Sequence, residues 1–274
     1  MIPFNKKYPK TIALSILFLI FSFSCSAFSA TASNLNQEIK IGTISGPETQ
    51  LMEVAKEVAQ KEYGITIKII EFSDYTIPNT ALVDGSIDAN MFQHQPYLDS
   101  VLKIKHYPLV AIAKVFIYPM AIYSKKWKNI ANIPQHGIIA VPNDPSNEAR
   151  ALLLLQQAKL LTLRTADPLR ANLFDVNSNT QELHIKEIDA AQLPRVLQDV
   201  DAAVINTNYA IPAGLTPENS IFHENADSPY ANLLVVREND KNDPRFKKVI
   251  AALHSQAVID KAKVLFNGGA IQAW

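Results

Sequence analysis

Apolar and polar positions follow two rhythms along most of this chain. "EIKIGTI" (Glu38 to Ile44) alternates apolar and polar as a strand does. The next stretch, "GPETQLMEVAKEVAQKEYG", spaces Leu51, Val54, Ala55 and Val58 along one helical face and places Gly64 at the C-cap. The rhythm then switches back and forth. "ITIKIIEF" reads as a strand, "NTALVDGS" as a short helix, "IDANMF" as a strand and "QPYLDSVLKIK" as a helix. "LVAIAKVFIYPMAIYSK" is a long extended run interrupted by Pro119. The second half repeats the grammar. "GIIAV" leads to a helix, "EARALLLLQQAKL", whose start is marked by Asp144 as N-cap and Pro145 in the first turn. "LHIKEI", "AQLPRVLQDV" and "DAAVIN" continue as strand, helix and strand, and "YANLLVVRE" is a further extended run. Two helices, "DPRFKKVIAALHS" and "AVIDKAKVLFN", close the chain. Strand and helix in alternation predict α/β layers with parallel pairing.

The first 32 residues break this pattern. A basic opening with Lys6, Lys7 and Lys10 precedes "TIALSILFLIFSFS", an uncharged stretch of 14 residues. Small residues follow, and Ala30-Thr31-Ala32 forms a small-x-small site. This is the layout of a secretory signal peptide, too short to serve as a spanning helix. Cleavage after Ala32 leaves a mature chain of roughly 242 residues. It also changes the charge: removing three of the 26 basic residues leaves 23 against 26 acidic ones, about −3. No basic patch argues for nucleic acid. Cys25, the one cysteine, falls inside the signal region. It is the candidate lipid acceptor. Ser24 before it suits lipidation, whereas Ser22 and Phe23 do not, and this favours a soluble exported protein over a tethered one. Either way the mature fold has no disulfide or cysteine metal site.

Two features point to a binding cleft. "LVDGSIDANMF" (Leu82 to Phe92) and "VLQDVDAAVIN" (Val196 to Asn206) both run helix, acidic turn, Asp-Ala, apolar strand. Such an echo predicts two similar α/β lobes, each aiming a strand's C-terminal end at a shared cleft, where open α/β sheets bind ligands. Phe92 and Asn206 stand at those ends. The second feature is Arg150, within the first two turns of its helix, where a cation is electrostatically misplaced unless an anion shares the site. A ligand carboxylate is one such anion; Glu148 or Asp144 on the same helix start is another. Two hinged lobes on an exported chain suggest a protein that closes on a small solute.

Particular phrases carry the reading further. "PNTALVDGSIDANMFQHQPYLD", "VFIYPMAIYSKK", "AVPNDPSNEARALLLLQ", "QLPRVLQDVDAAVINTNYA", "SPYANLLVVRE" and "VLFNGGAIQAW" resemble the methionine-binding proteins of bacterial ABC importers, the NlpA or lipoprotein-9 family. The resemblance runs from about Glu38 to Trp274. It implies a type II-like, two-lobed periplasmic solute-binding fold, each lobe a mixed, mostly parallel sheet flanked by helices. The expected division is a first lobe over 37–122, to which 227–274 returns, and a second lobe over 123–226. The implied ligand is free L-methionine, with D-methionine tolerance open, handed to the permease and ATPase subunits of an inner-membrane importer. A monomer at the periplasmic side is expected, soluble or tethered through Cys25. Family members are usually lipoproteins, and the weak acceptor context at Cys25 is the clearest departure.

A free amino acid needs its carboxylate paired, its ammonium given acceptors and its side chain shielded from water. Arg150 is assigned to the carboxylate, with Asn147 adding donors at the helix start. Asn206 and Asn232, at strand ends, are amides able to accept from an ammonium and donate to a carboxylate. A thioether favours aromatic contacts, and Tyr75, Phe92, His94 and Tyr118 are assigned to it, on the resemblance more than on spacing. Phe72 and Tyr97 are read as core aromatics. The six histidines show no i, i+4 pair, so no metal site is expected, and no cofactor is implied. No nucleophile elbow, dinucleotide fingerprint, phosphate-binding lysine motif or His-Glu-x-x-His is present, which argues against an enzyme. The alternatives are a binding protein for another small amino acid or dipeptide and, more remotely, an exported hydrolase.

Overall fold

Ile39, Ile41 and Ile44 are all but inaccessible to solvent, and the strand that carries them begins an ordered chain of layers. The computed structural model describes residues 38–165, 167–225 and 228–274, besides Met1 and Pro3; the segment read as a signal peptide, with Cys25, lies outside the described residues. The first run of elements is β1 (Ile39–Ile44), α1 (Pro47–Tyr63), β2 (Ile67–Phe72), α2 (Pro78–Val83), β3 (Ala89–His94), α3 (Gln95–Lys105) and β4 (Leu109–Ile117). Past Pro119 come β5 (Ala121–Tyr123), β6 (Ile138–Pro142), α4 (Pro145–Gln157), β7 (Thr162–Leu163) and β8 (Val176–Ser178). They are followed by β9 (His184–Ile188), α5 (Leu193–Val196), β10 (Ala202–Ile205), α6 (Thr207–Ala210) and β11 (Phe222–His223). The chain then returns as β12 (Ala231–Arg237), α7 (Pro244–Leu253), α8 (Gln256–Leu265) and β13 (Ile271–Gln272).

These strands build two mixed sheets, each flanked by helices. The first has the order β13-β4-β12-β3-β1-β2, and the second β11-β5-β10-β6-β9. Within the first, β1 lies parallel to both β2 and β3; within the second, β6 lies parallel to both β9 and β10. Antiparallel strands enter where the chain changes lobe. β12 runs antiparallel to β3 and β4, and β5 antiparallel to β10. The first sheet ends at Ile117 and Ala121 already pairs with Ile205, so the outward crossing is Tyr118 to Met120, with the Pro119 interruption inside it. The return crossing runs from Glu224 to Tyr230.

Local chemistry accounts for the boundaries. The Gly64 residue sits at φ 65° after α1 and closes the helix with its N–H on the carbonyls of Ala59 and Gln60. Asp144 caps α4 by accepting the Asn147 N–H at 2.9 Å. Under α1, α7 and α8 lies the first core, with Leu51, Met52, Val249, Leu253, Val258 and Phe266 packed on β1 and β3. Leu152, Leu154 and Leu155 of α4 belong to the second, with Ile139, Val141 and Val204. Each such side chain contributes about 1.5–3 kcal/mol by leaving water.

The sequence echo has a structural basis. Asp88 accepts the Lys40 N–H at 2.8 Å and returns its own N–H to the Lys40 carbonyl at 2.8 Å. Asp201 does the same with Ile138, again at 2.8 Å in both directions. Each aspartate fastens the start of the neighbouring parallel strand. β3 and β10 are therefore equivalent strands, and their C-terminal ends face each other across the cleft.

Candidate functional site

Between the two sheets lies a narrow cleft with only about 20 Å³ of free room. All eight residues assigned from the sequence line it: Tyr75, Phe92, His94, Tyr118, Asn147, Arg150, Asn206 and Asn232. Four more join them, Gln93, Tyr97, Thr207 and Asn208. Tyr97 was expected in a core and instead stands with the cavity aromatics, because α3 starts directly after its N-cap His94 and its first turn faces the cleft. Phe72 packs into the small core of Leu82, Ile87 and Leu98, as a core aromatic does.

The first lobe supplies rings. Tyr75 follows β2, Phe92 and His94 end β3, and Tyr97 opens α3. Ring centroids lie 5.9 Å apart for Tyr75 and Phe92, 5.7 Å for Phe92 and Tyr97, and 6.3 Å for His94 and Tyr97. Tyr118 leaves β4 and stacks on Phe266 at 4.5 Å. Such separations suit mutual aromatic packing and leave ring faces for a polarizable guest.

The second lobe supplies amides and charge. Asn147, in the first turn of α4, directs its amide nitrogen at both carboxylate oxygens of Asp144, at 3.0 Å and 2.9 Å. Its carbonyl oxygen is left to accept, and it does so twice: from Asn206 Nδ2 at 2.8 Å and from His94 Nε2 at 3.3 Å. His94 Nδ1 accepts the Tyr97 N–H at 3.2 Å, so its proton resides on Nε2. Burial, then the Arg150 charge, hold this imidazole neutral, its pKa driven down to about 3. The echoed strand ends thus meet on one oxygen. Tyr75 makes a second bridge between lobes, its hydroxyl donating to Asn208 Oδ1 at 2.7 Å. Gly46, at φ 124°, marks a third close approach: a Cβ there would stand 3.2 Å from Pro212 Cγ.

Arg150 is buried, 3% exposed, and its anion is not one that the sequence offered nearby. Neither Glu148 nor Asp144 pairs with it. Glu148 accepts the Leu173 N–H, while Asp144 is engaged by Ser146 and Asn147. Glu224 takes the guanidinium instead, Oε1 from Nε at 2.7 Å and Oε2 from Nη2 at 2.6 Å. The reason is topological: the return crossing brings Glu224 beside the outward one. Arg150 spans both, since Nη2 also reaches the Tyr118 carbonyl at 3.0 Å and its guanidinium carbon lies 4.3 Å from the Tyr230 ring centroid. Glu224 and Tyr230 were missed in the sequence because "HENADSPY" has neither strand nor helix rhythm.

Asn232 faces the cavity from β12 and donates to the buried Glu48 of α1 and to the Phe92 carbonyl. Burial raises the Glu48 carboxyl well above its ordinary range, partly offset by the Asn232 hydrogen bond. Sequence reasoning passed over Glu48 because an acid in a helix's first turn is ordinary dipole chemistry. Several buried polar atoms have no partner among the described residues, including Tyr118 Oη, Asn206 Oδ1, Asn208 Nδ2 and Glu48 Oε2. Unsatisfied groups at a cleft mark a place where a polar solute can complete the bonding. Among the described residues, no group of three or more His, Asp or Glu side chains is placed to hold a metal ion.

Known proteins share this architecture. A solved ABC transporter periplasmic substrate-binding protein from Coxiella burnetii is 56% identical, with a TM-score of 0.84 over 86% of this chain and 100% of that one. A nutrient-binding protein from Burkholderia cenocepacia, solved bound to methionine, is 47% identical, with a TM-score of 0.84 over the same shares. The D-methionine-binding lipoprotein MetQ of Escherichia coli O157:H7 is 48% identical over 239 residues, 86% of this chain and 88% of the relative. The family model for NlpA lipoprotein matches residues 39–274. This chain belongs to the NlpA lipoprotein family.

Proposed function

We propose that the protein is the extracytoplasmic solute-binding component of an ABC importer, and that it holds free methionine between its lobes. The observation that carries this reading is the division of the cavity wall. One guanidinium and three asparagines, Asn147, Asn206 and Asn208, stand on one side; Tyr75, Phe92, His94 and Tyr97 stand on the other. A zwitterionic head and a thioether tail match the two chemistries. In this reading Arg150 Nη1 takes the carboxylate, and Asn206 Oδ1 with Asn232 takes the ammonium. The tail lies among the rings, closed in by Tyr118. The lobes, divided near Pro119 and within 224–230, hinge about the two crossings, and a solute touching both walls biases closure. The closed form then delivers its solute to permease and ATPase subunits at the inner membrane. As for the anchor, Ser22 and Phe23 favour release after Ala32 over lipid attachment at Cys25.

Titration calorimetry with native mass spectrometry tests the ligand. L-methionine, D-methionine, other amino acids and methionyl dipeptides are titrated into the mature chain. One methionine per chain is expected, with aliphatic amino acids weaker; a dipeptide or another amino acid binding tighter would displace the reading. Intact mass of the exported protein tests the anchor, and a diacylglyceryl addition on Cys25 would contradict soluble release.

A further inference from the structure

The cation of this cavity is balanced before any solute arrives. Glu224, buried on the return crossing, accepts from Nε and Nη2 of Arg150 at 2.7 Å and 2.6 Å. It is fixed in turn by the Met120 N–H, 2.9 Å from Oε2. Nη2 is further committed to the Tyr118 carbonyl, and Tyr230 stacks on the guanidinium. Only Nη1 makes no hydrogen bond among the described residues.

Among the described residues, no second cation lines the cavity. His94 is held neutral. The other ionisable groups bonded to lining residues are acids: Asp144 behind Asn147, and Glu48 behind Asn232. Tyr75, Tyr97 and Tyr118 are neutral phenols whose pKa values are raised, mainly by burial. The arginine and its partner sum to zero, so the described wall carries no net positive charge.

We propose that Glu224 is a specificity-determining residue: by neutralising Arg150 from behind, it sets the cavity to accept a net-neutral zwitterion and to refuse an anion with the same carboxylate and tail. The inference rests on the reading of the site as one for a free amino acid. An isolated buried arginine would welcome any carboxylate. With Glu224 in place, a carboxylate lacking its ammonium leaves one uncompensated negative charge out of water, a costly state. A zwitterion brings its own counter-charge, and the amides of Asn206 and Asn232 can solvate it. Glu224 thus turns a carboxylate site into an amino-acid site.

The test compares L-methionine with its α-hydroxy acid analogue, which keeps the carboxylate and thioether and replaces the ammonium by a hydroxyl. Calorimetry is run on the wild type, Glu224→Gln and Glu224→Asp, with thermal unfolding as the check on folding. The wild type is expected to prefer methionine by about 100-fold or more. In Glu224→Gln the preference should shrink by at least about tenfold, mainly through tighter hydroxy-acid binding, while Glu224→Asp keeps it. Should Glu224→Gln not fold, the wild type alone decides. Hydroxy-acid binding must then take up a proton, seen as an enthalpy that depends on the buffer's ionisation heat, and methionine binding must not. Methionine binding with an unchanged ratio in folded Glu224→Gln, or wild-type binding of both solutes alike without proton uptake, would overturn this inference alone. No methionine binding by the wild type would overturn the amino-acid reading itself.

Discussion

The two lobes share a frame and differ in what they show the cavity. Asp88 and Asp201 perform the same task at the starts of β3 and β10, and both strands end at the cleft. Beyond those ends the lobes diverge. β3 runs into Phe92 and His94 and on to Tyr97, while β10 runs into Asn206, Thr207 and Asn208. α4 adds Asn147 and Arg150 on the second side, and Tyr75 adds a ring on the first. The frame is what the repeat requires; the strand-end residues are free of that requirement and can be assigned to a ligand's two halves. A solute that is charged at one end and greasy at the other has reason to sit across such a boundary.

Each difference between the walls can be broken separately. Removing the charge should have the largest effect. Arg150→Ala strips the cavity of its cation and strands Glu224 without its partner, so methionine affinity should fall by about 2–5 kcal/mol in titration calorimetry. Stability should fall by a comparable ~3–5 kcal/mol in chemical denaturation, because a buried charge loses its counter-ion. Unchanged affinity in a folded Arg150→Ala would end the assignment of the carboxylate to this side.

Next is the imidazole on the aromatic side. His94 has a folded-state pKa far below its ordinary 6.5, at about 3. The unfolded chain therefore binds a proton first on acidification, and native stability falls as pH drops from about 6.5 towards 3. At about 1.4 kcal/mol per unit, this group alone accounts for roughly 3–5 kcal/mol of acid sensitivity. His94→Asn can still accept the Tyr97 N–H and cannot titrate, so its denaturation midpoint should vary less between pH 6.5 and 4 than that of the wild type. An identical pH profile would show that the imidazole is not held neutral by its surroundings.

Asn232→Ala probes an amide that, like Gln93, stands on the ring-bearing lobe. Losing it removes a cavity amide and leaves Glu48 without its Asn232 hydrogen bond, so affinity should drop by about 1–3 kcal/mol. The smallest effect belongs to Tyr75→Phe, which keeps the ring and deletes the hydroxyl donated to Asn208. About 0.5–1.5 kcal/mol of affinity should go with it, and small-angle scattering of the ligand-free variant should show a larger open fraction.

Most of the frame was legible because local signals and tertiary packing agree. α3 spans Gln95–Lys105 as its phrase predicted, and α4 begins at Pro145 with Asp144 as cap. The β7–β8 pair, by contrast, has strands of two and three residues, too short to display a period. β11 and β13 are equally brief, and their positions depend on the partners β5 and β4. At the cavity, the choice of side chains drew on the family resemblance more than on spacing. What neither supplied was the layer behind the wall. Glu48 answers to Asn232, 184 residues later, and Glu224 to Arg150, 74 residues earlier. Contacts of that range are fixed by the order of crossings between lobes, which no local pattern records. The expected anion for Arg150 was accordingly sought within its own helix, and it lies on another segment.

The most direct measurement is the crystal structure of the mature chain grown with L-methionine. One solute carboxylate oxygen is expected within about 3 Å of Arg150 Nη1, with Glu224 still on the opposite edge and the sulfur among Tyr75, Phe92, His94 and Tyr97. Methionine found elsewhere, or bound with its carboxylate on the aromatic side and no oxygen in hydrogen-bonding reach of Arg150, would contradict it.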